Sequence, residues 1–578
     1  MSRLIITNSD EYFNSLNSIN ENCGFRNSGR ITDTFNFTNY KKINFDNENF
    51  LKLTDGYIGI AGTLAYKGQV GRVSLEMMYA DYIAYGIKYV REHTFGTYVV
   101  AIQHEGELNL FIDESGNYAI YYYWKDGQYL ITNLLYHIKK VTKDTVDSQT
   151  LMEELNEYCI LDNKTYLSST KRLMGNEILT IAAGKNEINV ANVGMNEYSL
   201  YARTFDKNVS VLAKTIKKYA EMQKVISDKK VIFMTGGMDS RLTLAGDLAV
   251  GYKPNLANWQ GSPVYMNTKY EDHIVCKKIA DAKSLKFIPI DVSGDESHII
   301  DNDMFDMLGE YATIYGNNLK WHTIFTTLKY NFYDFGYFGE TLKEWAPLDL
   351  CYHDKFSIDD YADLYLGRQK HRYTNISSDT VKKYRQIIVD KLRKICKDHA
   401  IDCHNLSKED CMLLYYYYRT HADTKMVNFA NIYGYSINLY AQKELIDYIN
   451  QTPYEYKEYG KLNLALTKVL CSELLSIPYF SHCHYMNYIP EKMILDDPAV
   501  TSTSARLKRA IPTPIKSVLK KLLRKSGNQV YIKEVIDRFD LNSIDVGWLA
   551  KVDENTYSSV GEYKAYFDYY TMLKKVQS

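Results

Sequence analysis

Residues 231–241 read Val-Ile-Phe-Met-Thr-Gly-Gly-Met-Asp-Ser-Arg, and this segment constrains the fold more than any other part of the chain. Its apolar start, residues 231–234, has the length and composition of a buried parallel strand. Just downstream, apolar residues recur at helical spacing: Leu242, Ala245 and Ala249. The sequence therefore predicts a strand that passes into a helix through Gly236 and Gly237.

A strand-to-helix corner of this kind can bind an anion. The N–H groups of the first helical turn lack intrahelical partners and lie at the positive end of the helix dipole. Gly236 and Gly237 let the chain pass close under a phosphate, and Thr235 and Ser240 add hydroxyl donors. The carboxylate of Asp239 would repel a bare phosphate, so its presence predicts a magnesium ion between the two.

The loop differs from a Walker A sequence, because no Lys follows the glycines and their spacing is too tight for G-x-x-x-x-G-K-[ST]. The strand-[ST]-G-G-x-D-S-helix pattern resembles the pyrophosphate loop of the ATP pyrophosphatases, and T-G-G-M-D-S-R resembles the asparagine synthetase family. The resemblance implies that the loop holds the β- and γ-phosphates of ATP and leaves the α-phosphate open to attack. The alternative is an ordinary strand-turn-helix corner, since Gly-Gly before an Asp cap is common.

Length and composition are those of an ordinary globular protein. The chain has 578 residues, of which 46% are hydrophobic and 24% charged, and it could hold roughly four average domains or two larger ones with a tail. A formal net charge of −1 argues against a nucleic-acid partner. Residues 1–25 do not read as a secretory signal, and the nine cysteines include no C-x-x-C pair, so we expect a cytoplasmic protein.

The part of the chain before the loop reads as an α+β domain that ends near residue 195. Strands are predicted at 57–63, 98–103, 108–113, 118–124, 129–132, 177–181 and 187–190, with a helix near 75–92. Residues 96–101 (G-T-Y-V-V-A), 113–123 (D-E-S-G-N-Y-A-I-Y-Y-Y) and 172–175 (R-L-M-G) resemble fold-marking stretches of the glutaminase-like domain of asparagine synthetases. The resemblance implies an Ntn-hydrolase-like fold for residues 1–195.

The same resemblance shows which catalytic groups this domain lacks. A working glutaminase of the family uses a cysteine at the mature amino terminus as nucleophile and base, whereas this chain begins Met1-Ser2-Arg3 and its first cysteine is Cys23. The family's oxyanion segment N-G-E-I-Y-N aligns with residues 61–66, A-G-T-L-A-Y, which lack the donor. Ser2 as a nucleophile is the weaker alternative. We therefore expect a degenerate domain without glutaminase activity.

Residues 205–500 alternate between helical and strand patterns, with a helix at 209–223, a strand at 254–259, a helix at 270–282 and a strand at 286–291. Such alternation predicts a parallel sheet with ligands at the carboxyl ends of its strands. The resemblance implies an adenine-nucleotide α-hydrolase-like (PP-loop) α/β domain with a helical C-terminal part. By the same resemblance, Asn258 or Trp259 would lie near the adenine base, and a plain loop is the alternative.

Residues 335–341, Phe-Gly-Tyr-Phe-Gly-Glu-Thr, resemble the family's S-G-E-G-G-D-E loop. Gly336 would then join the ATP-binding loop, and Glu340 stands where the family has an Asp implicated in magnesium binding. Tyr337 occupies the position of a Glu that many members use in catalysis. Either the acid/base role passes to Tyr337 or another carboxylate, or the reaction differs. A glycine-containing turn after a buried strand is the alternative.

The last third of the chain carries one further candidate. Residues 406–449 read as a long helical region, in which 436–442 keep little of the family's substrate motif E-x-R-x-P-F-L-D. Residues 460–478 resemble the family's K-x-x-L-R-x-x-x-x-x-x-L-P, which implies that Lys461 stabilises charge on the adenylate and the pyrophosphate. A solvated lysine is the alternative.

Residues 501–578 are expected to form a basic helical tail. The segment 506–525 carries eight Arg or Lys and no acids. A basic amphipathic helix can contact anionic lipid or a polyanionic substrate carrier, and a solvated surface helix is the alternative.

These features together predict an ATP-dependent, AMP-forming amide ligase that needs Mg²⁺. It would adenylate a small-molecule, peptide-linked or glycan-linked carboxylate and join it to free ammonia, to ammonia from a partner protein, or to an amine of the substrate itself. The last case would make it an intramolecular cyclase, as in the related β-lactam synthetases and lasso-peptide cyclases that also lack the cysteine. The alternatives are a catalytically degenerate nucleotide-binding regulatory or scaffold protein and a different pyrophosphate-loop enzyme.

Overall fold

The computed structural model describes residues 3–33, 35–193, 203–260, 267–291, 302–311, 318–367, 378–480 and 493–495. Ser2 and the tail 501–578, including the basic segment 506–525, lie outside the described residues. Three sheets organise the described chain, two of them formed before residue 193 and the third after residue 229. Within these ranges no helix has the length and apolar character needed to cross a membrane.

The first two sheets have six strands each, and every pairing within them is antiparallel. The strands are β1 (Leu4–Thr7), β2 (Asn27–Thr32), β3 (Asn36–Tyr40), β4 (Phe50–Lys52), β5 (Gly56–Tyr66), β6 (Thr94–His104), β7 (Glu107–Ile112), β8 (Tyr121–Lys125), β9 (Gln128–Thr132), β10 (Thr170–Arg172), β11 (Glu177–Ala182) and β12 (Asn189–Asn192). Their orders are β10-β8-β9-β1-β3-β2 and β12-β11-β7-β6-β5-β4. The helices are α1 (Asp10–Asn22), α2 (Gly71–Glu92), α3 (Leu135–Thr142) and α4 (Ser148–Glu157). The strands and the helix predicted between residues 57 and 190 are therefore confirmed, with shifts of a few residues at their ends.

The two antiparallel sheets pack face to face. On β6, Val99 and Ala101 belong to the core between the sheets, whereas Val100 and Ile102 belong to a second core beneath α2. Alternate residues of a strand point to opposite faces, so an uninterrupted apolar run is the pattern of a strand buried on both sides. Helix α1 covers the far side of the first sheet. The layers run helix, sheet, sheet, helix.

The third sheet is parallel, as the sequence predicts. Its strands are β13 (Lys230–Phe233), β14 (Asn255–Gln260), β15 (Phe287–Asp291), β16 (Phe332–Asp334) and β17 (Tyr435–Ser436). Their order is β15-β14-β13-β16-β17, and all four pairings are parallel. The chain adds β14 and β15 on one side of β13 and β16 and β17 on the other. The strand order therefore reverses between β13 and β16, which is where open α/β sheets bind ligands.

Helices surround this sheet and continue beyond it. They are α5 (Phe205–Ile226), α6 (Asp239–Ala249), α7 (Asn267–Lys283), α8 (Asn302–Leu308), α9 (Asn318–Leu328), α10 (Ala346–Cys351), α11 (Ile358–Gly367), α12 (Ser378–Asp398), α13 (Lys408–Ala422), α14 (Thr424–Tyr433), α15 (Lys443–Asn450), α16 (Tyr454–Lys457) and α17 (Lys461–Cys471). A short 3-10 helix, Gly339–Leu342, follows β16.

The helical region predicted over residues 406–449 is helical for most of its length, but a strand that the sequence did not predict interrupts it. The chain forms α13 and α14, turns at Gly434, adds β17 to the sheet and then forms α15. A Cβ at Gly434 would lie 2.7 Å from the ring of Tyr333, so only glycine lets the chain approach β16 this closely. Ser436 Oγ then donates to the Tyr333 carbonyl at 2.9 Å. Pairing with β16 overrides the helical spacing of the apolar residues.

The two halves of the chain share one core. The cluster that fills the space between the antiparallel sheets continues into Val231, Phe233 and Phe429 of the second half. Thr63, in the segment aligned with the family's oxyanion residues, is buried at this junction. Its hydroxyl donates to Asn431 Oδ1 at 2.6 Å and accepts from the Ser436 N–H at 3.1 Å. The segment 61–66 thus joins the two halves.

Candidate functional site

Two loops meet at the point where the strand order reverses. One follows β13 and leads into α6, and the other follows β16 and leads into the 3-10 helix. A Cβ at Gly336, whose φ is +64°, would lie 2.9 Å from Ser240 Cα, and a Cβ at Gly339 would lie 2.5 Å from Asp239 Cβ. These two glycines therefore allow the second loop to contact the first turn of α6. The structure brings the two motifs that the sequence singled out into direct contact.

Helix α6 begins without a capping side chain. Met238 is its N-cap residue and makes no side-chain cap, and the N–H groups of Met238, Asp239 and Ser240 have no hydrogen-bond partner within the described ranges. The Ser240 hydroxyl lies 2.9 Å from Thr235 Oγ1 and accepts from the Thr235 N–H at 2.9 Å. Open N–H groups at a helix start, with hydroxyls beside them, form an anion-binding environment.

The N–H groups at the start of the loop already have acceptors within the protein. The Gly236 N–H donates to the carboxylate of Asp272, which lies on α7. A Cβ at Gly236 would also lie 3.1 Å from Asp272 Oδ1 and 3.1 Å from Phe480 Cβ. The Gly237 N–H donates to Thr235 Oγ1 at 3.4 Å. Of the loop and first-turn N–H groups, those of Met238, Asp239 and Ser240 are therefore the ones open to a ligand.

Two carboxylates, Asp239 and Glu340, lie together at this site, each beside a cation. Asp239 Oδ2 is 2.7 Å from Lys343 Nζ, and Asp239 Oδ1 is buried and lacks a hydrogen-bond partner among the residues described. Glu340 forms an ion pair with Arg419 of α13, which also pairs with Asp423. The site thus combines two acids and two cations that come from three separate elements.

The pKa values of the two carboxyl groups move in opposite directions. Burial raises the pKa of Asp239 above its ordinary value; Lys343 opposes this rise, and the negative charge of Glu340 adds to it. Burial also acts to raise the pKa of Glu340, but the Arg419 guanidinium outweighs it and holds that pKa below its ordinary value. Each carboxyl group senses the charge of the other, so the two form one electrostatic unit.

The donor set at this site fits a magnesium ion. Mg²⁺ is usually bound through one or two carboxylates together with phosphate oxygens and water. Asp239 offers a buried oxygen without a partner, and Glu340 lies beside it on the facing loop. No group of three or more His, Cys, Asp or Glu side chains with metal-binding geometry occurs in the part of the chain that the structure describes.

Tyr337 packs into the protein instead of standing free. Its ring stacks on Phe335 with centroids 5.3 Å apart. Burial raises the pKa of Tyr337 well above its ordinary value, and Asp423 adds to the rise. The raised pKa favours the protonated phenol, which can donate a hydrogen bond, and disfavours Tyr337 as a base.

Lys461 is the first residue of α17, a helix that packs against α6. It is exposed, and its Nζ lies 5.3 Å from the ring centre of Tyr459. The preceding Gly460 donates its N–H to Glu344 Oε2 at 2.9 Å, and Glu344 directly follows Lys343. The start of α17 therefore lies next to the segment that carries Lys343, while the contact of Lys461 with a ligand stays a prediction.

Asn258 and Trp259 lie at the end of β14. Asn258 is buried and donates its side-chain N–H to the Met234 carbonyl at 2.7 Å, which fixes the end of β13 against β14. Trp259 packs edge-on against Trp321, with ring centres 4.9 Å apart. Residues 261–266, which follow this strand, lie outside the described residues, and the adenosine role stays a prediction.

Three charged residues at the site were missed by the sequence reasoning. Lys343 follows Glu340 by three residues, which is a weak signal that the loop continues with a cation. Arg419 is a charged residue within the tyrosine-rich helix α13, where a buried Arg requires a carboxylate partner. Asp272 begins a helical pattern and carries no motif of its own. Their partners depend on the tertiary fold.

No family model and no curated protein matches the chain. Among solved structures, the glutamine phosphoribosylpyrophosphate amidotransferase from B. subtilis, complexed with ADP and GMP, aligns at 10% identity with a TM-score of 0.23. That alignment covers 50% of this chain and 65% of the amidotransferase, which is less than two thirds. A structure of the allosteric regulatory enzyme of purine biosynthesis aligns at 10% identity, with a TM-score of 0.24 and coverage of 52% and 83%. TM-scores this low support no inference about fold or activity.

Proposed function

We propose that the protein is an ATP-dependent, AMP-forming amide ligase of the asparagine synthetase kind. The observation that carries the proposal is the uncapped start of α6 at the point where the strand order reverses, with Asp239 and Glu340 held together beside it. Hydroxyls of Thr235 and Ser240 flank the same helix start. In a parallel α/β sheet this is the expected position of a nucleotide's phosphates.

Different residues at the site would bind the ion and the phosphates of a magnesium nucleotide. Asp239 and Glu340 would hold the ion, which when bound supplies positive charge that stabilises the departing pyrophosphate. Lys343, which contacts Asp239, and Lys461, at the start of α17, would add positive charge near the same phosphates. Because Asp272 accepts from the Gly236 N–H, its side chain must turn away before a phosphate oxygen can bind there.

The reaction we propose couples a carboxylate to an amine. A carboxylate oxygen leaves poorly, whereas AMP leaves readily from an acyl adenylate once its charge is compensated. Holding the adenylate and the amine together can remove about 7 kcal/mol or more of the barrier. The helix-sheet-sheet-helix layers support an Ntn-like first half, which we propose is degenerate, so the amine comes from free ammonia, a partner protein or the substrate itself.

A second candidate is a nucleotide-binding protein that has lost catalysis. The observation that favours it is Tyr337, which stands at the family's catalytic Glu position and keeps its proton. Both candidates require ATP to bind at the start of α6, and they differ in whether pyrophosphate is released.

Nucleotide binding is tested first. Isothermal titration of the full chain with ATP should give saturable binding in the presence of Mg²⁺, and EDTA should weaken it at least ten-fold. Asp239→Asn and Ser240→Ala should each weaken MgATP binding at least ten-fold. Glu105→Gln, in an exposed turn where the side chain is 83% exposed, is the control and should bind as wild type. If wild-type protein does not bind MgATP, both candidates are excluded.

Exchange of labelled pyrophosphate into ATP then separates the two candidates, since it reports adenylation without requiring the amine. We expect exchange that depends on one member of a panel of amino acids, peptides and glycan-linked acids. Binding of MgATP without exchange for any acid of the panel would instead support the regulatory or scaffold role.

A further inference from the structure

A cavity of about 620 Å³ lies between the two halves of the chain, away from the carboxylate pair. Its walls come from the end of α2, the turn between β7 and β8, the turn between β10 and β11, and the helices α13 and α15. Cavities of about 300–1,000 Å³ between domains are the usual size and position of small-molecule sites. Nothing in the proposed ligase chemistry uses this space.

The cavity wall carries charges of both signs that lack counter-charges. Lys88 is exposed and Glu114 is half-buried, and neither has an ion-pair or side-chain hydrogen-bond partner in the portion of the chain described. Arg91 is 4% exposed and bonds the Gly175 carbonyl, and its Nε has no partner among those residues. Arg91 makes no ion pair within the described residues, although Asp113 and Glu114 line an adjoining small pocket with it, so its guanidinium can still pair with a ligand's carboxylate.

The rest of the wall includes the exposed carboxylate of Glu92 together with polar, aromatic and apolar side chains. Lys443 and Asp447 neutralise each other at 2.6 Å. Tyr416 and Thr420 lie on one face of α13, and Leu413 and Ile446 add apolar surface. A ligand that fits must therefore carry both a negative and a positive group and present an apolar or aromatic part between them.

We propose that this cavity binds a zwitterionic amino acid or short peptide, with the ligand's carboxylate beside Lys88 and Arg91 and its ammonium group beside Glu114. Neutral sugars would leave Lys88 and Glu114 without counter-charges, and a simple anion would leave Glu114 unpaired. The proposal does not depend on nucleotide binding, so it stands or fails independently of the proposed function.

The same helix wall reaches the carboxylate pair. The ring of Tyr416 packs edge-on against Phe338, with centroids 5.8 Å apart, and Phe338 lies in the loop that carries Glu340. Arg419, three residues further along α13, forms the ion pair with Glu340. A ligand in the cavity would contact a helix that already positions a residue of the candidate site, which gives the cavity a regulatory position.

The proposal is tested by ligand-dependent thermal stability and calorimetry on the full chain. The probes are the twenty protein amino acids and a set of Ala-X dipeptides, each added separately. We expect at least one to raise the melting temperature saturably by about 1 °C or more, as stabilisation by a bound ligand requires. Its N-acetyl and carboxamide derivatives, which each lack one charge, should bind at least ten-fold more weakly. No binding by any probe, or equal binding by the derivatives, would overturn the proposal.

Variants then assign the binding to this cavity. Glu114→Gln and Lys88→Met should each weaken binding of the best probe at least ten-fold, while their melting temperatures without ligand stay those of wild type. Glu105→Gln removes a carboxylate from an exposed turn of the same half and should leave the affinity unchanged. Wild-type affinity in both Glu114→Gln and Lys88→Met would place the ligand elsewhere and refute the assignment.

Discussion

Replacing Lys230 by Met tests whether the buried charge cluster around this lysine stabilises the part of the fold that carries the candidate site. Lys230 is fully buried, and its ammonium lies 2.8 Å from Asp247 Oδ2, 2.9 Å from Asp334 Oδ2 and 2.6 Å from Gln223 Oε1. Asp334 in turn accepts from the Gly336 N–H at 3.0 Å. The lysine therefore fixes the strand end from which the loop to Glu340 departs.

The expected loss of unfolding free energy follows from the charges that remain in the cluster after Lys230 is removed. With Lys230 in place, the cluster holds one cation and two carboxyl groups, and burial raises the pKa of Asp247 to about 7, with Lys230 opposing the rise. Lys230→Met leaves two buried carboxyl groups without a cation. Breaking a buried ion pair by removing one partner costs about 3–5 kcal/mol of unfolding free energy. We expect a loss in this range at pH 8.

The loss of unfolding free energy in Lys230→Met should be smaller at low pH than at high pH. A carboxyl group whose pKa is higher in the folded state holds a proton that the unfolded chain has released, so its contribution to stability falls as pH rises between about 4 and 7. Removing Lys230 takes away the charge that opposes the rise in the pKa of Asp247, which increases this loss on the alkaline side. Lys230→Met should therefore cost less at pH 5 than at pH 8.

Urea unfolding followed by circular dichroism at pH 5 and pH 8 measures both quantities. The triple variant Lys230→Met, Asp247→Asn, Asp334→Asn is the matched control, because uncharged groups of similar shape often replace a buried ionic cluster at little cost. We expect it to recover at least half of the loss at pH 8. A loss below about 1 kcal/mol for Lys230→Met at pH 8, or the same loss at both pH values, would refute the electrostatic reasoning.

Two further predictions concern the single residues Gly339 and Lys457, and a third concerns glutaminase activity. Gly339→Ala places a Cβ 2.5 Å from Asp239 Cβ and should weaken MgATP binding at least ten-fold in calorimetry, whereas Gly367→Ala, which meets no atom within 4 Å, should not. Burial lowers the pKa of Lys457 to about 8, so the unfolded chain binds more protons than the folded protein between pH 8 and 10, and stability should rise with pH in that range. Lys457→Met should remove this rise from the melting temperatures measured across the same range. A rise as large as that of wild type would contradict the prediction. Incubation of the pure protein with glutamine should release no glutamate.

Strands and helices were predictable where turn residues mark their ends in the sequence. Strands β6 and β7 are apolar runs joined by a Glu-Gly turn, β8 and β9 are joined by an Asp-Gly turn, and hairpins of this kind form between sequence neighbours. The Ser-Gly turn between β7 and β8 instead carries the chain from one sheet to the other. The first sheet was less predictable, because β1 pairs with β9, more than a hundred residues away. Strand β17 has two residues, too few for any periodicity, and it exists because β16 offers it an edge.

The candidate site was likewise predictable where it depends on local motifs and unpredictable where it depends on distant contacts. The motifs around Asp239 and Glu340 predicted that two loops at strand ends would meet, and topology brings them together. Their partners could not be predicted, because Lys343 and Asp239 are 104 residues apart and the pairing exists only once β16 lies beside β13. Arg419 reaches Glu340 from a helix outside the sheet, so no local pattern links the two.

The charge arrangement at the site makes its geometry depend on the helices that follow the sheet. Asp239 is fixed to α6, Glu340 to the loop after β16, and Arg419 to α13, so a displacement of α13 changes the charge that Glu340 experiences. Because Arg419 holds the pKa of Glu340 below its ordinary value, loss of that contact would favour the protonated acid, a poorer magnesium ligand. Tyr416 and Arg419 lie on the same helix, one in the wall of the cavity between the halves and the other at Glu340. Helix α13 therefore contributes a residue to each of the two sites, and we expect a ligand that displaces α13 to change the contact of Arg419 with Glu340.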